Sequence, residues 1–197
     1  MSNLLLLSGG IDSVAIAAWK RPKICLTIDY GQKPANTEIQ ASQQVCNDLG
    51  LNHHVLKTDI CSLGAGDMSG YSTSPCSEHS EFWPYRNQYL ITLAAMIAIK
   101  NNCKDILIGT VRTDSRHKDG SKEFIQMMNS LLSFQEGSLG LLAPARKLTT
   151  LELVQKSDIP LSTLSWSHSC YVSNLACGHC DGCNKHTELM NDLGIER

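Results

Sequence analysis

The sequence has no apolar run long enough to span a membrane, so no part of it reads as a transmembrane helix. Its start, Met1 to Gly9, lacks a charged n-region and is too short for a signal peptide, and the expectation is a cytosolic protein. Neither sign of charge dominates. Seventeen Lys and Arg face 19 Asp and Glu, a net charge of −2, which excludes the broad basic surface of a protein that tracks nucleic acid. There is no internal repeat and no low-complexity segment. A disulfide framework is also excluded: the nine cysteines are odd in number, five are scattered singly, and four cluster near the end.

What is there is ordinary globular composition, 42% hydrophobic and 18% charged over 197 residues, enough for one α/β domain with a small appended module. Asn3 to Leu7, Lys23 to Asp29, His54 to Lys57 and Asp105 to Gly109 are short apolar runs that read as strands, with Leu141 to Ala143 a further short one. Between them lie helical patterns at Asp12–Trp19, Pro34–Leu49, Asn87–Asn101 and Glu123–Phe134. Thr149-x-x-Glu152 has capping-box form and opens a helix through Ser157. A last helix is expected from Lys185 to Leu193. Strand and helix alternate, which predicts a Rossmann-like parallel sheet with helices on both faces and a ligand at the carboxyl ends of the strands. The expected division is an α/β domain over 1–165 and a cysteine module over 166–197. From Asp59 to Glu81 the periodicity fails, and a long, functional or mobile loop is expected.

Ser8-Gly9-Gly10-Ile11-Asp12-Ser13 stands between the first strand and the first helix. Glycines let backbone N–H groups approach phosphate oxygens, and the helix N-terminus favours an anion. Ser8 and Ser13 add hydroxyl donors. Asp12, itself an anion, is better suited to holding Mg²⁺ than phosphate. The loop has neither the Gly-Lys-Ser/Thr of a Walker A motif nor the three glycines of a dinucleotide fingerprint. It resembles the Ser-Gly-Gly-x-Asp-Ser loop of the PP-loop ATP pyrophosphatases, which cleave ATP to AMP and pyrophosphate.

Cys170, Cys177, Cys180 and Cys183 offer four thiolates in fourteen residues, with Gly178 and Gly182 permitting tight turns. Zn²⁺ takes such a set tetrahedrally. An iron–sulfur cluster uses the same ligands, and spacing does not exclude it. Cys177-Gly-His-Cys180 also has the form of a redox dithiol, but that leaves Cys170 and Cys183 unexplained. His179 reads as a bystander.

Taken together, the loop, Asp29-Tyr30-Gly31-Gln32, Pro84-Tyr85-Arg86-Asn87, Gly109-x4-Asp114, Ser169-Cys170-Tyr171 and the cysteines resemble the 7-cyano-7-deazaguanine synthase family over essentially the whole chain. The resemblance implies an adenine-nucleotide alpha-hydrolase fold and a carbon–nitrogen ligase using ATP, Mg²⁺ and structural zinc. A deazaguanine carboxylate would be adenylylated, ammonia would give the amide, and a second adenylylation the nitrile. It implies ATP contacts from Ser8, Gly9, Gly10, Asp12, Ser13, Asp29 and Gly109, with Asp12, Arg86 and Asp114 in catalysis. Tyr30, Gln32, Arg86 and Asp119 would meet the substrate. A homodimer is implied, with the apolar helix at Asn87–Asn101 available to an interface.

Several positions depart from the family pattern. His117-Lys118-Asp119-Gly120-Ser121 keeps only the Asp of a Tyr-Pro-Asp-Cys-Arg stretch near the base, and Asp119 is either a reader of the base edge or a helix cap. Asn87 is either a clamp or a cap. Tyr85 replaces a Gly. Thr150 falls where a Lys is expected, with Lys147 nearby as a substitute. The chain is also short. These departures open a second reading, a paralogue that passes the activated carboxylate to a protein N-terminus or a nucleic-acid base, as in antiviral systems. Of the remaining features, His53-His54 is expected to face solvent and Met127-Met128 to be core.

Overall fold

A computed structural model describes residues 2–114 and 116–195. Its centre is a five-stranded, wholly parallel sheet in the order β3-β2-β1-β4-β5, built from β1 (Asn3–Leu6), β2 (Ile24–Asp29), β3 (His53–Lys57), β4 (Asp105–Leu107) and β5 (Gly140–Leu142). Strands buried on both faces need apolar residues at successive positions, and β1 supplies them. Leu4 enters the core on one face with Ile24, Leu26, Ile106 and helices α4 (Arg86–Lys100) and α5 (Lys122–Phe134). Leu5 points to the other, with Cys25, Leu107 and helices α1 (Ile11–Lys20), α2 (Ala35–Leu49), α6 (Thr150–Ser157) and α8 (Asp181–Asp192). Short helices α3 (Gly66–Ser69) and α7 (Leu161–Leu164) complete the set. Both Leu4 and Leu5 are fully buried, and truncating either to Ala would cost about 2–5 kcal/mol.

The strand order reverses at β1, between β2 and β4. That is the switch point at which doubly wound sheets open a crevice at their carboxyl edge, and the Ser8–Ser13 loop leaves β1 there. The expected α/β architecture is therefore present, and so is the capping box: Thr149 Oγ1 accepts from Glu152 N–H while Glu152 Oε2 accepts from Thr149 N–H.

Other details differ. The stretch after β3 is not structureless. It carries a 3-10 turn at Cys61–Leu63 and α3, and Asp67 N–H and Ser80 Oγ–H cross-link its two arms at 2.8 and 2.6 Å. Trp83 is buried there, edge-on to Tyr30. His53 does not simply face solvent. Its Nε2 lies 2.8 Å from Thr27 Oγ1 and its Nδ1 3.1 Å from Gln43 Oε1. Of the methionine pair only Met128 is core; Met127 is exposed. The last helix starts at Asp181, four residues early, because Cys180 Sγ accepts from Cys183 N–H and caps it from inside the cysteine cluster.

Candidate active site

The Ser8–Ser13 loop is closed by its own hydroxyls. Ser13 Oγ donates to Gly10 C=O at 2.9 Å and accepts from Ser8 N–H at 3.3 Å, and Ser8 Oγ lies 3.2 Å from it. Gly9 has φ +75, and a Cβ there would stand 2.9 Å from the Glu38 carbonyl, so the loop needs glycine on both counts. Gly10 caps α1 without any side chain, leaving the first-turn N–H groups to a ligand. Gly109, just beyond β4, lies against Ser13.

Asp12 stands in the first turn of α1 with its side chain 15% exposed. Oδ2 accepts from Lys185 Nζ at 2.7 Å. Oδ1 is buried and makes no close hydrogen bond among the described residues; the Thr150 hydroxyl, likewise without a close partner, lies near enough to help stabilise the Asp12 carboxylate. Burial lifts the Asp12 pKa and the Lys185 ammonium counters it, with the net effect upward. Asp114 Oδ2 accepts from Val111 N–H at 3.0 Å, and its Oδ1 lies 3.4 Å from the same ammonium. Asp12, Asp114 and Lys185 thus form one cluster at the mouth of the loop. An orphaned, buried carboxylate oxygen beside a second carboxylate is a donor set that suits Mg²⁺.

A second cluster lies across Tyr171. Arg86 opens α4, placed by Tyr85 at φ +55. Burial works against its charge, but Tyr30, Asp119, Tyr171 and Glu38 around it hold its pKa above the ordinary value. Burial also raises the Tyr30 and Tyr171 phenols. Glu38, in the first turn of α2, is pushed up to about 7 by burial, against the pull of Gln32 and Arg86. Tyr171 feels the charges of both Lys185 and Arg86, so the two clusters adjoin.

The structure thus brings together most of the residues singled out from sequence. It reassigns some. Both amide hydrogens of Gln32 are used, on Ile28 C=O and Glu38 Oε2, and its oxygen accepts from Tyr30 N–H. Gln32 braces the turn rather than offering a free donor. Asp29 likewise accepts from Gly31 N–H at 3.1 Å. Asp119 is not the cap of α5, since Ser121 is; it faces Arg86 electrostatically. Asn87 is not the cap of α4, and its Oδ1 lies 3.4 Å from Arg86 Nε. Lys147 is exposed and lines a separate basic cavity with Lys122, Arg146 and Lys156. Sequence reasoning missed Glu38 and Lys185. An acidic residue in the first turn of the helix, six positions after Gln32, was the available signal for the first; nothing in the sequence signalled the second.

Cys170, Cys177, Cys180 and Cys183 bring their sulfurs within 4.8 Å of one another, with Cys177–Cys183 at 3.9 Å and Cys170–Cys180 at 4.0 Å. A tetrahedral ion with about 2.3 Å metal–sulfur bonds separates its sulfurs by about 3.8 Å, so the set fits. N–H groups of Cys180 and Cys183 point at Cys177 and Cys180 sulfurs, both at 3.4 Å. His179 is exposed and bonds the Cys177 carbonyl, outside the cluster as expected. The segment entering the cluster touches the phosphate loop directly, because His168 N–H donates to Gly9 C=O at 2.9 Å.

The family model described as "Queuosine biosynthesis protein QueC" matches residues 2–193. The chain belongs to this QueC family. Curated relatives named 7-cyano-7-deazaguanine synthase include that of Methanosarcina mazei, 27% identical over 222 positions covering all of this chain and 96% of the relative. That of Campylobacter curvus is 31% identical, covering 97% of this chain and 93% of the relative. The alignment with the M. mazei relative is longer than this chain, so the shortness of this QueC member lies in internal gaps. Among solved structures, NMN synthetase from Francisella tularensis superposes with a TM-score of 0.54 at 14% identity, covering 99% of this chain and 73% of that one, a likeness of fold. No helix among the described residues is long and apolar enough to cross a membrane.

Proposed function

We propose that this QueC-family chain is an ATP-dependent carbon–nitrogen ligase that adenylylates 7-carboxy-7-deazaguanine and, with ammonia, carries it through the amide to 7-cyano-7-deazaguanine. The observation that carries the reading is the adjacency of the two clusters. Tyr171 is within electrostatic reach of Lys185 and Asp114 at the phosphate loop and of Arg86, around which Tyr30, Glu38 and Asp119 gather. The names of the curated relatives support the same reaction.

In the first step a substrate carboxylate oxygen attacks the ATP α-phosphorus and pyrophosphate leaves. Ammonia then displaces AMP with loss of a proton. The amide oxygen attacks the α-phosphorus of a second ATP, pyrophosphate leaves, and loss of AMP together with both amide N–H protons forms the nitrile. Two ATP yield two AMP and two pyrophosphates. The uncapped α1 N-terminus and the loop N–H groups receive the leaving pyrophosphate. Arg86 holds the carboxylate that attacks, and Asp119 accepts N–H donors of the pyrimidinone edge. Bound at Asp12 Oδ1, Mg²⁺ would supply charge neutralisation on the phosphates. Zinc on the four cysteines would hold the C-terminal module, residues 166–197, in place. The chain is further proposed to pair with a second copy through α4, whose Met96 and Ile99 are exposed; light scattering tests this.

The second reading rests on His117–Ser121, where only Asp119 of the expected stretch remains. There the activated carboxylate goes to another amine, on a protein N-terminus or a nucleic-acid base. Incubation with the carboxylate, ATP, Mg²⁺ and ammonium, followed by mass spectrometry, separates the two. Nitrile formed in step with AMP supports the first; arrest at adenylate or amide overturns it. Asp12→Asn should cut pyrophosphate release on the order of 10²–10³-fold.

A further inference from the structure

Resting on the reading of Ser8–Ser13 as an ATP site, we infer that Lys185 is a phosphate-binding residue of that site, delivered to it by the helix that grows out of the cysteine cluster. The charge at the loop mouth requires a cation. Asp12 and Asp114 place two carboxylates there, and an incoming triphosphate adds more negative charge. Arg86 lies in the other cluster, among Tyr30, Glu38 and Asp119, where it faces the substrate carboxylate rather than the phosphates. The α6 side offers Thr150, buried, uncharged and with its hydroxyl beside Asp12, while Lys147 is exposed and turned to a different cavity. Among the described residues Lys185 Nζ is the cation that bridges both carboxylates, at 2.7 and 3.4 Å.

An ammonium carries three N–H donors, and the two carboxylates use two. The third remains for a phosphate oxygen, and a side chain 34% exposed leaves room for one to arrive. The position is held from both ends. At the start of α8, a Cβ on Gly182 would stand 1.9 Å from the Ser169 carbonyl, so helix and incoming segment are in tight contact. At its far end Leu189 and Met190 are buried in the same core cluster as Leu7, Ile11 and Val14, which flank the loop. Lys185 is therefore a fixed cation rather than a surface lysine that happens to find an acid.

The test uses the full, metal-loaded chain and the uncleavable probe α,β-methylene-ATP with Mg²⁺, read by calorimetry. Lys185→Met should weaken binding at least tenfold, and Lys185→Arg should stay within about threefold of wild type. If wild type binds and Lys185→Met binds equally well, the inference is overturned and Lys185 is a structural strut whose loss lowers only Tm. If wild type itself does not bind, it is the ATP reading that fails. Should Lys185→Met not fold, reductive methylation of wild type gives the same decision. The probe should shield Lys185 from modification at least fivefold relative to Lys147, and unchanged labelling would overturn the inference.

Discussion

Glu38 shows how one side chain makes the site sensitive to pH. Its pKa in the folded chain is about 7 against an ordinary 4.5. Between those values the folded chain holds a proton that the unfolded chain has lost, so Glu38 contributes stability at low pH that disappears as the pH rises toward and through 7. Glu38→Gln should remove this slope, leaving the variant on the order of 2–3 kcal/mol less penalised than wild type at pH 8 relative to pH 5; urea unfolding at the two pH values measures it. Tyr85 is the second case. It sits at φ +55 and is 80% exposed, so the side chain returns little for a left-handed backbone that costs roughly 1 kcal/mol. Tyr85→Gly should be neutral or stabilising by up to about 1 kcal/mol, and Tyr85→Val destabilising by at least that much, in the same unfolding assay. This conformation is also the physical reason a glycine suits the position.

At the scale of elements, α8 is the instructive one. Its cap is a cysteine sulfur, and its first turns carry Cys183 and Lys185. If zinc sits on the four cysteines as proposed, removing it leaves thiolates crowded without a cation, and the cap has no reason to hold its geometry. Chelation should therefore cost at least about 2 kcal/mol, a fall in Tm of roughly 4–8 °C, with loss of helical circular dichroism. Nucleotide affinity should fall in parallel; an ATP analogue that binds the stripped chain normally would show that α8 does not serve the loop. Much of the molecule was readable in advance because its signals are local. Leu4 to Leu7 followed by two glycines, Thr149 with Glu152, and the cysteine spacing each carry their meaning within a few residues. Lys185 does not. Its partner Asp12 is 173 residues away, and the start of its helix is disguised by cysteines that read as a metal loop. The packed stretch after β3 was hidden for a related reason: the Asp67–Ser80 links that order it are tertiary, and its glycines and serines alone read as a loop.

Across the whole molecule, the C-terminal segment is stitched to the sheet domain at separate points. His168 N–H reaches Gly9, Asn174 bonds the Thr37 N–H and hydroxyl, Arg116 pairs with Asp181, and Lys185 joins Asp12. Nucleotide binding should tighten these together. Hydrogen exchange with α,β-methylene-ATP present should slow at 168–192 on the order of tenfold, with little change in α5 on the far side of the sheet. Protection confined to α1 would show that the module does not respond to the nucleotide.

The bond from His168 to Gly9 has a consequence in time. The phosphate loop is made well before the residues that complete it: the His168 N–H that secures it and Lys185, 173 residues after its partner Asp12, follow much later in the chain. A nascent or prematurely ended chain can form the early strands and display the loop, but not a charge-balanced one. Competence to take up nucleotide would then arrive only once the helix that carries Lys185 has been made.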